Sequence, residues 1–398
     1  LTFTGIRDLA SFLRFDTHDA EGNPNPLAPS GRNTMRRAML FGLSQSGRTV
    51  RDYLHQGFNE APRGGMVFDA AMPVIAGSRR TYINYAFAQP GRYSRQHEDH
   101  AYPDDQFPFT YTPLNDPLSG KQGCILDRCT RTNTAPKIMH LDTDSEIWAA
   151  RASLVVTDTK GDDIALPENV RVYLASGLQH GWSEPPKAGV GQFPDNPVSY
   201  GSIARALIVA LQRWVDDGTS PPPSRFPSRK AGTLVDSAPT ACGFPAIPGV
   251  RYTGLKNELR VMDYSTQPPK EGAQYPVYVV RVDADGNPTD GILHPLLAAP
   301  IATHTGWNLR SAGNAEGELY SIFGSAIPFA RDAASRMAGD PRASLEERYG
   351  THAAWKAKLA EAARALVAAG YFLQEDADRL IEAAGTCWDY AAKIFDAV

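Results

Sequence analysis

The stretch from Arg36 to Leu54, RRAMLFGLSQSGRTVRDYL, decides how this chain folds. Its first half, RRAMLFG, is a short apolar run of strand length that ends in glycine. Its second half carries Val50, Tyr53 and Leu54 at helical spacing. Ser44 therefore falls at a strand-to-helix turn. Around it, Gly42-Leu43-Ser44-Gln45-Ser46 is a small-x-Ser-x-small pattern. A nucleophile held on so tight a turn needs small neighbours two residues away, because strand and helix must approach closely there. A helix that starts at such a turn also aims backbone N–H groups at a developing oxyanion. Glycine is about 7% of residues, so the pattern arises by chance in roughly a third of chains of this length. Context raises its weight. Ser183 and Ser220 each have Gly two residues before but Pro two residues after, and no other serine fits. Ser44 is the candidate nucleophile, against the plainer reading of a turn made small for packing.

Working outward, FTGIRDLASFLRFD places Ile6, Leu9, Phe12 and Leu13 on one helix face, and a polar loop follows to about Arg32. Downstream, MVFDAAMPVIAG from Met66 reads as a buried strand. An irregular, aromatic- and Pro-rich stretch spans about Ser78 to Ala135. APKIMHLD reads as a strand with a helix from about Ser145. VRVYLAS is a further strand, and Tyr200 to Asp217 an amphipathic helix. This alternation predicts an α/β fold with a mostly parallel sheet and helices on its faces. SPPPSRFPSRK, from Ser220, is a Pro-rich break. Beyond it YPVYVVRVDADGNPTDGILHP reads as a hairpin turning near Asp285-Gly286, and residues from Thr351 onward as two helices. DADGNP is no calcium loop, since Pro288 stands where the sharp-turn glycine is needed. The expected organisation is a catalytic core over 1–219 and a C-terminal region over 220–398, a cap of hairpin and helices packing on that core.

An activated serine needs a base and an orienting acid. In sheets that carry such a turn they follow in the order serine, acid, histidine, at the carboxyl ends of strands. His180, in SGLQHG just past VRVYLAS, is the candidate base. The acid should follow PKIMHLD, where Asp142, Asp144 and Glu146 all qualify by position. His140 lies inside that strand and reads as a packing residue. His97 and His100, beside Glu98, Asp104 and Asp105, lack the helical register that aims metal ligands and read as a solvated loop. No metal or cofactor is expected. Tyr82, Phe87, Phe107, Phe109 and Tyr111, with the region from Ser220, are candidate substrate walls or simply cover for the sheet. His294 and His304 could line a pocket. Arg48 and Arg310 could meet an anionic substrate group, with Trp307 beside them, though such arginines more often make structural ion pairs.

The bulk composition agrees with a soluble globular protein: 398 residues, 42% hydrophobic, 21% charged, formal net charge −4. No basic excess points to nucleic acid, and no apolar run is long enough to span a membrane. Of four cysteines, Cys124 and Cys129 sit close enough for a local disulfide or for two unpaired thiols. Their C-x4-C spacing lacks the second ligand pair of a structural zinc site. Cys242 and Cys387 carry no signal. A disulfide and the non-Met start would suit a secreted or periplasmic protein.

Several stretches together resemble a large bacterial family of alpha/beta-hydrolase-domain proteins. They are IRDLASFLR, GLSQSGR with RDYLHQGFNE, FDAAMPVIAG, FPFTY, PKIMHLDTDSEIW with ASL, QHG, THTGWNLR, GSAIPFA and GDPRASLEERY, spread from residue 6 to 349. The resemblance implies an α/β-hydrolase fold and a serine hydrolase. It favours Glu146, ahead of Trp148, over Asp144 as the acid. The SQSGR turn is also similar, more loosely, to that of glucuronoyl esterases, which implies a part for Gln45 in holding the oxyanion. In this fold several strands normally precede the nucleophile strand, whereas one helix and a loop precede it here. The resemblance thus implies that an N-terminal segment, or a second chain, completes the sheet.

The reaction expected is acyl transfer on a small-molecule ester, with Ser44, His180 and Glu146 as the triad. The rate should fall as pH drops through the imidazole's titration. The same triad could cleave an amide, a thioester or a carbon–carbon bond. A non-catalytic binding subunit that kept the fold is the rival from another class, since fold alone does not secure activity. A homo-oligomer is compatible with either reading.

Overall fold

The computed structural model describes residues 2–28, 30–81, 83, 103–181, 189–320, 322–385 and 388. Five strands form one parallel sheet: β1 (Met39–Leu43), β2 (Ala70–Val74), β3 (Lys137–Thr143), β4 (Val170–Ser176) and β5 (Ile292–Leu293), in that spatial order. The helices that build around it are α1 (Thr2–Phe15), α2 (Gln45–His55), α3 (Asp144–Ala150), α4 (Gly201–Asp216), α5 (His352–Ala368) and α6 (Gln374–Glu382). The antiparallel pair β6 (Ala302–Thr305) and β7 (Ser325–Pro328) stands apart from the main sheet.

Strands buried on both faces read as continuous apolar runs, and β2, buried along its whole length, is such a run. Side-chain alternation then sorts the core into two layers. Ala70, Met72 and Val74 join Met139, Leu141, Tyr173 and Ala175 on one face. They are covered by Ile203, Leu207 and Leu211 of α4 and by Ala363 and Leu366 of α5. Ala71, Ile138, Val170 and Val172 face the other way, against Val50, Tyr53 and Leu54 of α2 and Phe3 of α1. Each such Leu or Ile contributes about 1.5–3 kcal/mol by burial. The sheet draws strands from both sides of residue 219, because β5 pairs in register with Ala175 and Ser176 of β4.

At the opposite edge, β1 is paired with β2 alone among the described residues. Met39, Phe41 and Leu43 stand in register with Ala70, Met72 and Val74, so they continue the face that α4 covers. Yet they are 40%, 51% and 43% exposed. The apolar run read around Ser44 thus has an exposed side among the described residues.

Some expectations need correction. Phe107, Phe109 and Tyr111 are buried and do not wall an open cleft. Phe107 and Phe109 pack with Leu154, Leu259 and Val277, and Phe109 meets Tyr275 edge-on at 5.0 Å. Tyr82, Phe87, His97, Glu98, His100 and Cys387 lie outside the described residues. Cys124 and Cys129 are unpaired thiols, each engaged locally: Cys124 Sγ donates to Asp127 Oδ1 and Cys129 Sγ to the Leu54 carbonyl. The disulfide that would have suited an oxidising compartment is not formed. Among the described residues no helix is long and apolar enough to cross a membrane.

Candidate active site

Ser44 sits between β1 and α2 with φ 58° and ψ −119°, a conformation that costs a non-glycine residue about 1–3 kcal/mol. Close packing holds it there. The Ser44 N–H donates to the Val74 carbonyl at 2.9 Å, and its own carbonyl accepts from Arg48 N–H at 3.0 Å. A Cβ on Gly42 would lie 2.2 Å from the Ser46 carbonyl oxygen, and one on Gly47 2.6 Å from that of Val74. These approaches are the physical content of the small-residue pattern.

From this turn a line of hydrogen bonds runs across the carboxyl ends of three strands. Ser44 Oγ donates to His180 Nε2 at 2.7 Å, and His180 Nδ1 donates to Glu146 Oε1 at 2.5 Å. Glu146 is buried in the first turn of α3. Its other oxygen, Oε2, accepts from the Thr143 N–H at 3.0 Å and from the Thr143 hydroxyl at 2.5 Å. The carboxylate is therefore fixed in orientation by the end of β3. Gln45 is the first residue of α2, where amide N–H groups have no acceptor within the helix, directly beside Ser44.

The other two carboxylates do different work. Asp142 is fully buried; its Oδ1 accepts from the N–H groups of Ala76 and Gly77 at 2.9 and 3.0 Å, and its Oδ2 lies 2.9 Å from His140 Nε2. His140 Nδ1 meets the Tyr111 hydroxyl at 2.9 Å. That pair ties the end of β2 to β3. Asp144 Oδ2 accepts from Gly177 N–H at 3.0 Å, at the start of the loop that carries His180. Burial, joined by the nearby charge of Glu146, pushes its carboxyl up to about 7.

Arg48 is buried in the first turn of α2. Trp307 is enclosed by Trp148, Phe244 and Tyr252, whose ring centroids lie 5.4–6.0 Å from its own. Arg310 Nε donates to the Asn314 carbonyl at 2.5 Å within its own loop. Neither Trp307 nor Arg310 hydrogen-bonds to Ser44, Glu146 or His180 among the described residues. The sequence reading passed over Thr143, Gln179 and Asn196. Gln179 Oε1 accepts from Gly324 N–H at 2.6 Å, and Asn196 Nδ2 donates to the Gly177 carbonyl at 2.6 Å, so both hold the histidine loop. They lie in irregular backbone, where no periodicity marks them.

A family model described as "Alpha/beta hydrolase domain" matches residues 2–382. No curated protein and no solved structure matches the chain. With a parallel sheet, flanking helices and a match over nearly its whole length, the chain belongs to the alpha/beta hydrolase domain family, and its activity is that of a hydrolase.

Proposed function

We propose that the chain is a carboxylic ester hydrolase that works through an acyl-enzyme on Ser44. The observation that carries this reading is the unbroken line from Ser44 Oγ through His180 to Glu146, at 2.7 and 2.5 Å. In this mechanism Ser44 Oγ attacks the ester carbonyl while its proton passes to His180 Nε2. Glu146 holds the Nδ1 proton and stabilises the imidazolium. The oxyanion is met by the Gln45 N–H at the head of α2. The intermediate collapses as the leaving alkoxide takes the proton from His180, and Ser44 stays acylated. Water then attacks with His180 as base, the carboxylic acid departs, and Ser44 regains its proton. Labelling with a fluorophosphonate, peptide mapping and a panel of chromogenic esters test the proposal. Ser44 should carry the label, and Ser44→Ala should abolish both labelling and turnover. Label elsewhere, or ester turnover that survives Ser44→Ala, would overturn it.

We propose also that a further polypeptide segment adds a strand to the free edge of β1. An unpaired edge offers a row of N–H and C=O groups, and natural proteins cover or blunt such edges. What supports the proposal is that this edge belongs to the nucleophile strand and presents Met39, Phe41 and Leu43. Continuity also supports it, since these residues extend a sheet face already buried under α4. The occupant is a strand with an apolar face.

A further inference from the structure

Gly177 opens the loop that carries His180, and both of its peptide groups are clamped. Its N–H donates to Asp144 Oδ2 at 3.0 Å, and its carbonyl accepts from Asn196 Nδ2 at 2.6 Å. Asn196 Oδ1 in turn accepts from Val198 N–H at 3.1 Å and from His304 Nδ1 at 3.2 Å. That last bond assigns the imidazole proton of His304 to Nδ1. Burial holds the His304 pKa down at about 4, so near neutral pH Nε2 is a bare lone pair.

His304 and Asp144 border the same small cavity, together with Trp148, Trp307, Cys242 and Phe244. Both side chains are buried, and each turns up with one unpartnered atom among the described residues, His304 Nε2 and Asp144 Oδ1. Segment and site are locked in place. A Cβ on Gly306 would lie 2.2 Å from Asp144 Cβ, and Ser145 Oγ donates to the Gly306 carbonyl at 2.8 Å. Above the titration of Asp144 both atoms are acceptors, and two acceptors bordering one small cavity call for a ligand that donates twice. Water does so, and the cavity is small enough to hold a single molecule.

Building on the triad reading, we propose that one buried water donates to Asp144 Oδ1 and His304 Nε2. It closes a ring of Asp144, Gly177, Asn196, His304 and water that positions His180 against Ser44. Asp144 and His304 are positioning residues; neither touches the substrate. The other titratable groups facing them are Glu146 and Cys242, beside Asp144, and His294, beside His304. A protonated Asp144 that donates directly to His304 is the rival arrangement, and it needs no water.

A crystal structure of the full chain, at a resolution that orders internal waters, decides between them. A water within hydrogen-bond distance of both atoms supports the proposal; a direct Asp144–His304 bond, or an empty cavity, overturns it. Kinetics on a chromogenic ester test the positioning role. Asp144→Ala opens the ring and should lower kcat 10- to 100-fold, the scale of a displaced catalytic group, with KM within about twofold. Asp144→Asn keeps an oxygen for Gly177 N–H and should stay within about threefold of wild type. Wild-type kcat in Asp144→Ala, or equal damage in both variants, would contradict the role. If Asp144→Ala does not fold, the Asn variant and the crystallographic water still decide. Failure of wild-type Ser44 to label would sink the esterase reading alone, because the water and the ring are read crystallographically.

Discussion

Glu146 uses its two oxygens for two tasks. Oε1 accepts from His180, while Oε2 is pinned by the backbone and hydroxyl of Thr143. Glu146→Gln can keep one of these acceptors but not both, so kcat on a chromogenic ester should fall about 10²- to 10⁴-fold, as expected when the tautomer of the base is disturbed. A rate within threefold of wild type would show that the acid lies elsewhere. Local pattern left Asp142, Asp144 and Glu146 equal, because all three follow the same strand. The family resemblance favours Glu146 over Asp144, and the three carboxylates differ in what they pair with: Asp142 turns back to His140 and the end of β2, and Asp144 to Gly177. Asp144 also makes a stability prediction. Its carboxyl is raised from 3.8 to about 7 in the folded chain, so the folded state binds the proton more tightly than the unfolded one. Its contribution is therefore fully present below pH 3.8 and lost as pH rises through about 7. Asp144→Asn should gain on wild type by roughly 1 kcal/mol per pH unit across that window, read by chemical denaturation at several pH values. A difference independent of pH would contradict the shift. Comparing variants is necessary because His294 and His304, held down at about 3 and about 4, titrate with the opposite sign.

Among the elements, the turn at Ser44 was legible because tight backbone geometry restricts residue size. Gly47 lies outside the five-residue pattern, yet it is the residue that brings α2 against β2. The obstacle to a side chain there is the Val74 carbonyl, which cannot rotate away. Gly47→Ala should lower stability by about 1–3 kcal/mol, as overpacking does. It should also slow labelling of Ser44 at least tenfold, since α2 and Ser44 move together. Thermal melts and labelling rates check this; unchanged values in both would mean that the contact relaxes freely. Four of the five strands were legible as apolar runs with helical patterns between them. β5 was read as one arm of a hairpin, whereas Ile292 and Leu293 pair in parallel with Ala175 and Ser176 of β4; two residues are too short to show which partner they take. The turn near Asp285-Gly286 was legible from its chemistry. Gly286 has φ 80°, and Val282 bridges Pro288 across it.

For the whole molecule, β1 is an edge strand among the described residues, on the side where the resemblance to alpha/beta hydrolases implies a further segment; the apolar run alone did not show this. Burial of a strand face depends on which elements arrive to cover it, and composition does not reveal that. If a further strand covers this edge in the active protein, Phe41→Glu with Leu43→Glu should lower both the melting temperature and the turnover of the purified assembly. If the face is bare in the active protein, the double substitution should shift stability by no more than about 0.5 kcal/mol per site, as ordinary surface changes do. His180 and its loop, by contrast, were placed by strand order alone, because catalytic groups gather at the carboxyl ends of parallel strands.

We propose Ser44 as an activated nucleophile, and fluorophosphonate labelling of the purified protein followed by peptide mapping is the decisive measurement. A single label should form on Ser44, lost in Ser44→Ala and slowed in Glu146→Gln. A folded protein that takes no label, or takes it on another residue, would contradict it.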